Sequence, residues 1–143
     1  MTDDVQRTRY VVTTDEVPVI DQSDPTAETW IAAGGDPRDQ GRMAELISRE
    51  LTGADFMVGV AWFSPGDVHL LHHHPHADEW YYVIAGSGMF TVGDRQVRGE
   101  PGTSLFIPAG TSHRIHNDRG DELHIAWGFD RGSLADVGFV WDE

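Results

Sequence analysis

Five of the eight histidines fall within one short stretch, at His69, His72, His73, His74 and His76, and an acid, Glu79, follows them. His72 and His74 are two apart. Successive side chains of a strand alternate between its faces, so on a strand these two imidazoles point to one spot. Glu79 comes round a short loop that contains Pro75 and could add a carboxylate oxygen. A further candidate, His113, lies downstream in Pro108-Ala109-Gly110-Thr111-Ser112-His113. Imidazoles that converge with a carboxylate inside a β structure make a metal site.

Strand parity sorts the remaining side chains. His69 and His73 fall on the face opposite His72 and His74, and His116 is out of phase with His113. These are expected on outer faces, and His76 in a solvated loop. His124 is open between interior and exterior. Facing inward, it would serve as a spare general base, because its ordinary pKa lies near neutrality. Tyr81 and Val83 share a face with Glu79, Val68 and Leu70 with His72, and Ile115 with His113. Tyr81 is therefore a second catalytic candidate, with a hydroxyl to donate to a substrate oxygen. Trp62, Met89, Phe106 and Trp127 are candidate pocket walls. No arginine falls on a strand position that faces the site, which argues against a strongly anionic substrate.

The elements that position these residues read as short strands separated by turns. Phe56 to Phe63, Val68 to His74 and Glu79 to Ile84 are rich in apolar, β-branched and aromatic residues. Met89 to Val92 and Arg95 to Arg98 flank Gly93-Asp94, a two-residue hairpin signal. Ser104 to Ile107, Thr111 to His116 and Leu123 to Phe129 complete the series. Strands at this spacing mean a sandwich or barrel, an all-β class. Upstream, Tyr10 to Val12, Val17 to Ile20 and Trp30 to Ala32 read as short strands, whereas residues 1–9 are polar. Met43 to Leu51 fits a helical stripe through Met43, Leu46, Ile47 and Leu51, and equally a strand that ends at Thr52-Gly53.

Composition narrows the chemistry. The chain has 143 residues, of which 39% are hydrophobic, enough for one domain with a core. It has no cysteine, so disulfides, thiolate ligands and a cysteine nucleophile are excluded. All ten basic residues are arginine, which removes a Schiff base or a lysine base. The net charge of −14 argues against nucleic acid and anionic membranes as partners. No apolar run reaches a membrane span and no secretory signal is visible, so the expected compartment is the cytoplasm.

Two strings carry a family resemblance. Gly66 to Gly86 reads G-x5-H-x-H-x4-E-x6-G, with His72, His74, Glu79 and Gly86 in the fixed places. Gly102 to Asn117 reads G-x5-P-x-G-x2-H-x3-N, with Pro108, Gly110, His113 and Asn117 in place. Together they resemble the two signature motifs of the cupin superfamily, over roughly residues 55–128. The resemblance implies a double-stranded β-helix, or jelly-roll barrel, over residues 51–143. Residues 1–50 would form an N-terminal arm with edge strands of the same domain, and Met43 to Leu51 would be a strand. It also implies one divalent transition metal per chain, held by His72, His74, Glu79 and His113. That donor set suits Fe, Mn, Co, Ni, Cu or Zn, and not Ca or Mg, which prefer all-oxygen shells.

The function implied is a metal-dependent enzyme acting on a small oxygen-bearing organic substrate, with apolar or aromatic surface to match the pocket. Dioxygenase-type cleavage and non-redox isomerase, lyase or cyclase chemistry, on a polyketide-like substrate for example, are both open. The alternative is a non-catalytic metal- or ligand-binding cupin module. A homodimer is expected, since cupins commonly pair through N-terminal strands. Trp30 and Ile31 look exposed, and the apolar tail Val137 to Trp141 needs cover.

Overall fold

The computed structural model describes residues 9–143; the polar N-terminal stretch before Arg9 lies outside them. Alternating burial builds its sheets. In β3 (Met57–Phe63) every second residue from Met57 is buried, and in β5 (Glu79–Ala85) Glu79, Tyr81 and Val83 are. One antiparallel sheet runs β1 (Ile20–Asp21), β2 (Arg42–Ile47), β3, β10 (Leu123–Phe129), β5 and β8 (Ser104–Ile107). The other runs β11 (Val140–Trp141), β4 (Val68–His73), β9 (His113–His116), β6 (Gly88–Val92) and β7 (Arg95–Gly99). The two sheets face each other across a core that includes Met57, Phe63, Val83, Phe90, Ile115 and Ile125. Burying one such side chain stabilises the fold by roughly 1.5–3 kcal/mol. This is the jelly-roll architecture that the two motifs imply.

The motif residues that bear no metal donor shape turns. Gly93-Asp94 forms the expected hairpin between β6 and β7, with Val92 opposite Arg95. Gly86 leaves β5 at φ +77°, and a Cβ there would lie 2.3 Å from the Glu122 carbonyl oxygen, so only glycine fits. Asn117 is fully buried; its amide donates to the carbonyls of Phe63 and Asp121, both at 2.9 Å, and closes the turn before β10.

The chain before β3 departs from expectation in four places. Trp30-Ile31-Ala32 is not a strand but part of α1 (Glu28–Ala32), held by Ile31 N–H donating to the Ala27 carbonyl at 2.9 Å. Its aromatic and β-branched residues favour strands, but Trp30 turns inward, is buried, and donates from Nε1 to the Gln22 carbonyl at 3.1 Å. Met43 to Leu51 divides: β2 ends at Ile47, and Ser48 caps α2 (Arg49–Thr52) by accepting from Leu51 N–H at 3.1 Å. Of the helical stripe only Leu51 lies in a helix; Met43, Leu46 and Ile47 belong to β2. Tyr10 to Val12 form no strand, and Val17 to Ile20 contributes only Ile20 to β1.

The apolar tail covers the molecule's own barrel. α3 (Leu134–Val137) is followed by β11, which pairs with β4 at Val140 to His73 and Trp141 to His72. Phe139 meets Trp30 edge to face at 5.0 Å. Among the described residues, no helix is long and apolar enough to cross a membrane.

Candidate metal centre and its cavity

His72, His74, Glu79 and His113 come together in the interior, each offering a donor atom within 4.8 Å of the others. β4 supplies His72, and His74 lies just beyond its end. β5 supplies Glu79 and β9 supplies His113, paired directly opposite His72. All four are buried.

Hydrogen bonds fix which nitrogen each ring offers. His72 Nδ1 lies 2.6 Å from the Leu70 carbonyl oxygen, His74 Nδ1 2.7 Å from that of Gly138, and His113 Nδ1 2.9 Å from that of Thr111. A carbonyl can only accept, so each Nδ1 carries the proton and each Nε2 keeps a lone pair. Nε2 of His72 and of His74 has no hydrogen-bond partner despite complete burial. His74 Nε2 lies 3.2 Å from Glu79 Oε1 without the angle of a hydrogen bond. His113 Nε2 lies 2.8 Å from the same oxygen. With its lone pair directed there, it faces a second acceptor, and either a proton or a metal ion between them relieves that contact.

Charge effects agree. Burial, then the neighbouring imidazoles, hold His72 well below its ordinary pKa, and burial holds His113 down against the pull of Glu79. Burial opposes ionisation of Glu79, but positive charge at His74 and a hydrogen bond from His113 outweigh it and bring its carboxyl to about 2, so the carboxylate depends on a cation beside it. A transition metal requires an unprotonated nitrogen from each ring and an ionised carboxylate, and this donor set fits one divalent ion.

His69 is the main correction to strand parity. Pairing runs from Val68–His116 and His69–Ile115 to His72–His113, so β4 carries one extra residue between His69 and His72. This β-bulge turns His69 and His72, three apart, to the same inner side. His69 is buried, its ring centroid 4.3 Å from that of His72. Its Nδ1 donates to Asp39 Oδ2 at 2.7 Å. Burial favours the neutral ring, but the Asp39 charge and hydrogen bond prevail and raise its pKa. Val68 and Leu70 are displaced from the pocket to half-buried positions by the same bulge.

The remaining candidates divide. Tyr81 is buried and lines the cavity, its ring 6.0 Å from that of His113. Burial, then the charges of Glu79 and Asp39, keep its hydroxyl protonated, and that hydroxyl makes no well-formed hydrogen bond. His124 is corrected: it alternates with buried Leu123 and Ile125, points out of the barrel and stacks on Trp62 at 5.2 Å. It cannot act as a base inside. Trp62 and Phe106 also face outward, Phe106 being 65% exposed, whereas Trp127 is a wall as expected. Phe90, not Met89, occupies the inner face of β6. His73 pairs with Asp142 at 2.9 Å on the outer side, and His76 is exposed.

The cluster opens, at His74 and Glu79, on an interior cavity. Its walls are mainly apolar and aromatic, including Met43, Phe63, Trp127, Phe129 and Phe139. Phe139 also backs the ligands, meeting His74 edge to face at 4.6 Å. Its neighbour Gly138 supplies the carbonyl that orients His74. Neither this support from the tail nor Asp39 and Gln22 beside His69 had a local signal in the sequence.

A double-stranded β-helix holding three imidazoles and a carboxylate in its core defines a class, and the comparisons place the chain within it. The Cupin domain family profile matches residues 59–129. Dimethylsulfoniopropionate lyase DddW of Ruegeria pomeroyi is 31% identical over 111 residues, 75% of this chain and 70% of that protein. Tetracenomycin polyketide synthase protein TcmJ of Streptomyces glaucescens is 33% identical over 81 residues, 56% of this chain, and the match spans about half of that relative, 54%. Oxalate decarboxylase of Lactobacillus farciminis shares the fold, with a TM-score of 0.62 at 20% identity over 71% of this chain and 31% of that one. The chain belongs to the cupin family.

Proposed function

We propose that the protein is a metal-dependent enzyme acting on an oxygen-bearing, aromatic or polyketide-like small molecule by non-redox chemistry of the cyclase, isomerase or lyase kind. The observation that carries this reading is the aromatic-walled cavity opening on a His72–His74–Glu79–His113 set whose imidazole lone pairs converge. The likeness to a polyketide synthase protein and to a lyase supports the reaction class. A divalent ion held by these four residues would act as a Lewis acid on a substrate oxygen. Tyr81, kept protonated and free to donate, would hold a second oxygen of the substrate or deliver a proton to it. The apolar walls would exclude water and orient the rings.

The test begins with untagged protein. About one divalent transition metal per chain is expected, lost in His72→Ala and His113→Ala with the circular dichroism unchanged. Assays with β-dicarbonyl and phenolic substrates should show product without oxygen uptake. Oxygen consumption would replace this reading with dioxygenase-type cleavage. Stoichiometric metal with no turnover of any kind would favour a non-catalytic binding module. Metal retained by both variants would remove the ligand assignment.

A cytoplasmic homodimer belongs to the same reading, but not through the residues first suspected, since Trp30 and the tail are spent on their own barrel. The outer face of the β3–β10–β5–β8 region is uncharged and aromatic in a chain of net charge −14. Trp80, Tyr82, Ile84 and Phe106 stand exposed on it. A stable interface needs about 800 Å² per partner, and this face offers a broad apolar centre for one. Sedimentation of Tyr82→Arg and Phe106→Glu should show a shift from dimer to monomer, and a monomeric parent protein would refute the proposal.

A further inference from the structure

Among the described residues, four buried polar atoms with no partner belong to residues that face the barrel interior: Nε2 of His72 and His74, the Tyr81 hydroxyl, and Oε1 of Gln22. The first three belong to the site already described. Gln22 comes from the N-terminal arm, is only 4% exposed, and lines the cavity together with Trp30, Phe63 and His69.

Every other polar atom of Gln22 is engaged. Its N–H donates to the Gly41 carbonyl at 2.8 Å, and its carbonyl accepts from Trp30 Nε1. Its amide nitrogen donates to Asp39 Oδ2 at 3.2 Å. A carboxylate can only accept, so the nitrogen must face Asp39 and the amide oxygen must face away. Asp39 is itself pinned, accepting from Leu70 N–H and His69 Nδ1, both at 2.7 Å, so the amide cannot turn. Gly41, at φ +121°, keeps room over that oxygen: a Cβ there would lie 2.7 Å from it and 2.5 Å from the Phe63 ring. A buried acceptor held in one orientation without a donor is costly unless something bound in the cavity supplies one.

We infer that Gln22, oriented by Asp39, is a specificity residue whose amide oxygen accepts a hydrogen bond from an uncharged hydroxyl of an aromatic ligand. The proposal rests on the cavity being the substrate site, as proposed above, and adds a second point of recognition independent of the metal. An anion is disfavoured there because Asp39 and Glu79 already place carboxylates beside the cavity. A hydroxyl is favoured because the unspent atom is an acceptor, and an aromatic body because Trp30, Phe63 and Trp127 form the adjacent wall.

The test compares p-cresol with p-xylene, which differ by a hydroxyl in place of a methyl. Their affinities are measured by ligand-observed NMR and isothermal titration, on metal-stripped and on Zn(II)-loaded protein. Gln22→Met should lower the cresol-to-xylene affinity ratio roughly tenfold, with p-xylene affinity held within about twofold. Gln22→Asn, which withdraws the oxygen by one methylene, should do the same if the Met variant folds poorly. Asp39→Asn should also lower the ratio, because an amide at 39 lets the Gln22 amide turn its oxygen toward it. An unchanged ratio in the Gln22 variants overturns the proposal, as does an equal loss of both probes or no binding of either. A ratio that follows Zn(II) loading and ignores Gln22 overturns it while leaving the metal reading intact. A ratio that follows Gln22 in a protein that binds no metal sustains it and removes that reading instead.

Discussion

Removing the Asp39 carboxylate should destabilise the protein severely, and how far depends on what replaces it. Asp39 is fully buried and accepts three hydrogen bonds, from Leu70 N–H and His69 Nδ1 at 2.7 Å and from Gln22 Nε2 at 3.2 Å. Asp39→Ala leaves three donors unpaired, two of them buried and the Leu70 N–H half-buried. At about 2 kcal/mol for each short bond and about 1 kcal/mol for the long one, the loss is about 5 kcal/mol. That is a large part of the 5–15 kcal/mol that typically holds a domain together. Asp39→Asn is milder. Its oxygen can keep Leu70 N–H, while its NH₂ meets His69 as the other tautomer and Gln22 with its amide turned. The loss is then about 2 kcal/mol, chiefly the charge-assisted part of the bonds. Urea titration followed by tryptophan fluorescence reads both values. Thermal melts should fall by about 3 °C for each kcal/mol in a domain of this size. If Asp39→Ala lost less than about 2 kcal/mol, or the Asn variant fell as far as the Ala variant, the carboxylate would not be the anchor of this network.

Tyr81→Phe should leave stability unchanged or raise it by about 1 kcal/mol, because it deletes a buried hydroxyl with no partner, while lowering turnover; equal activity in a melt-matched variant would remove Tyr81 from the mechanism. Gly59→Ala should cost about 1–3 kcal/mol or prevent folding, since its Cβ would lie 2.3 Å from the Trp127 ring and 2.5 Å from the Ala44 carbonyl oxygen; chemical denaturation decides. Arg98 grips Asp118 through two 2.7 Å bonds, and chiefly that guanidinium brings the Asp118 carboxyl to about 2. Because the folded-state value is depressed, this contribution is present above the ordinary aspartate range and fades as pH falls toward 2. A double-mutant cycle between the two positions should therefore show coupling at neutral pH that declines only below about pH 4. Coupling that persists undiminished at the acid limit would contradict it.

The four metal-facing side chains were legible because their placement is local. His72 and His74 need only the two-residue period of a strand, and Glu79, Tyr81 and Val83 follow the same period along β5. Gly86 and Asn117 were legible as motif members because each meets a demand of its own turn. What stayed hidden depends on partners far along the chain. The extra residue in β4 is defined only by its pairing with β9, and nothing in Val68-His69-Leu70-Leu71-His72 marks where parity breaks. Trp30 chose a helix because the core offered it a buried slot and the Gln22 carbonyl a hydrogen bond, neither of which is written in residues 28–32. His124 followed strand parity, but its phase is set by the inward Leu123 and Ile125.

The bulge links His69, Asp39 and Gln22. Without it, His69 would point outward, and Asp39 would be a carboxylate buried with its strongest side-chain partner missing. With it, His69 lies between Asp39 and His72, in contact with both. The loop before β2 and the segment after β1 meet there, next to the His72 ring. The arm thus does more than lengthen a sheet, because through Asp39 it orients Gln22 on one side and braces the His69 ring against His72 on the other. A cupin barrel with an unbulged β4 would retain the four converging donors yet lack this second set of polar groups. The single inserted residue is therefore what places His69, Asp39 and Gln22 beside the four converging donors.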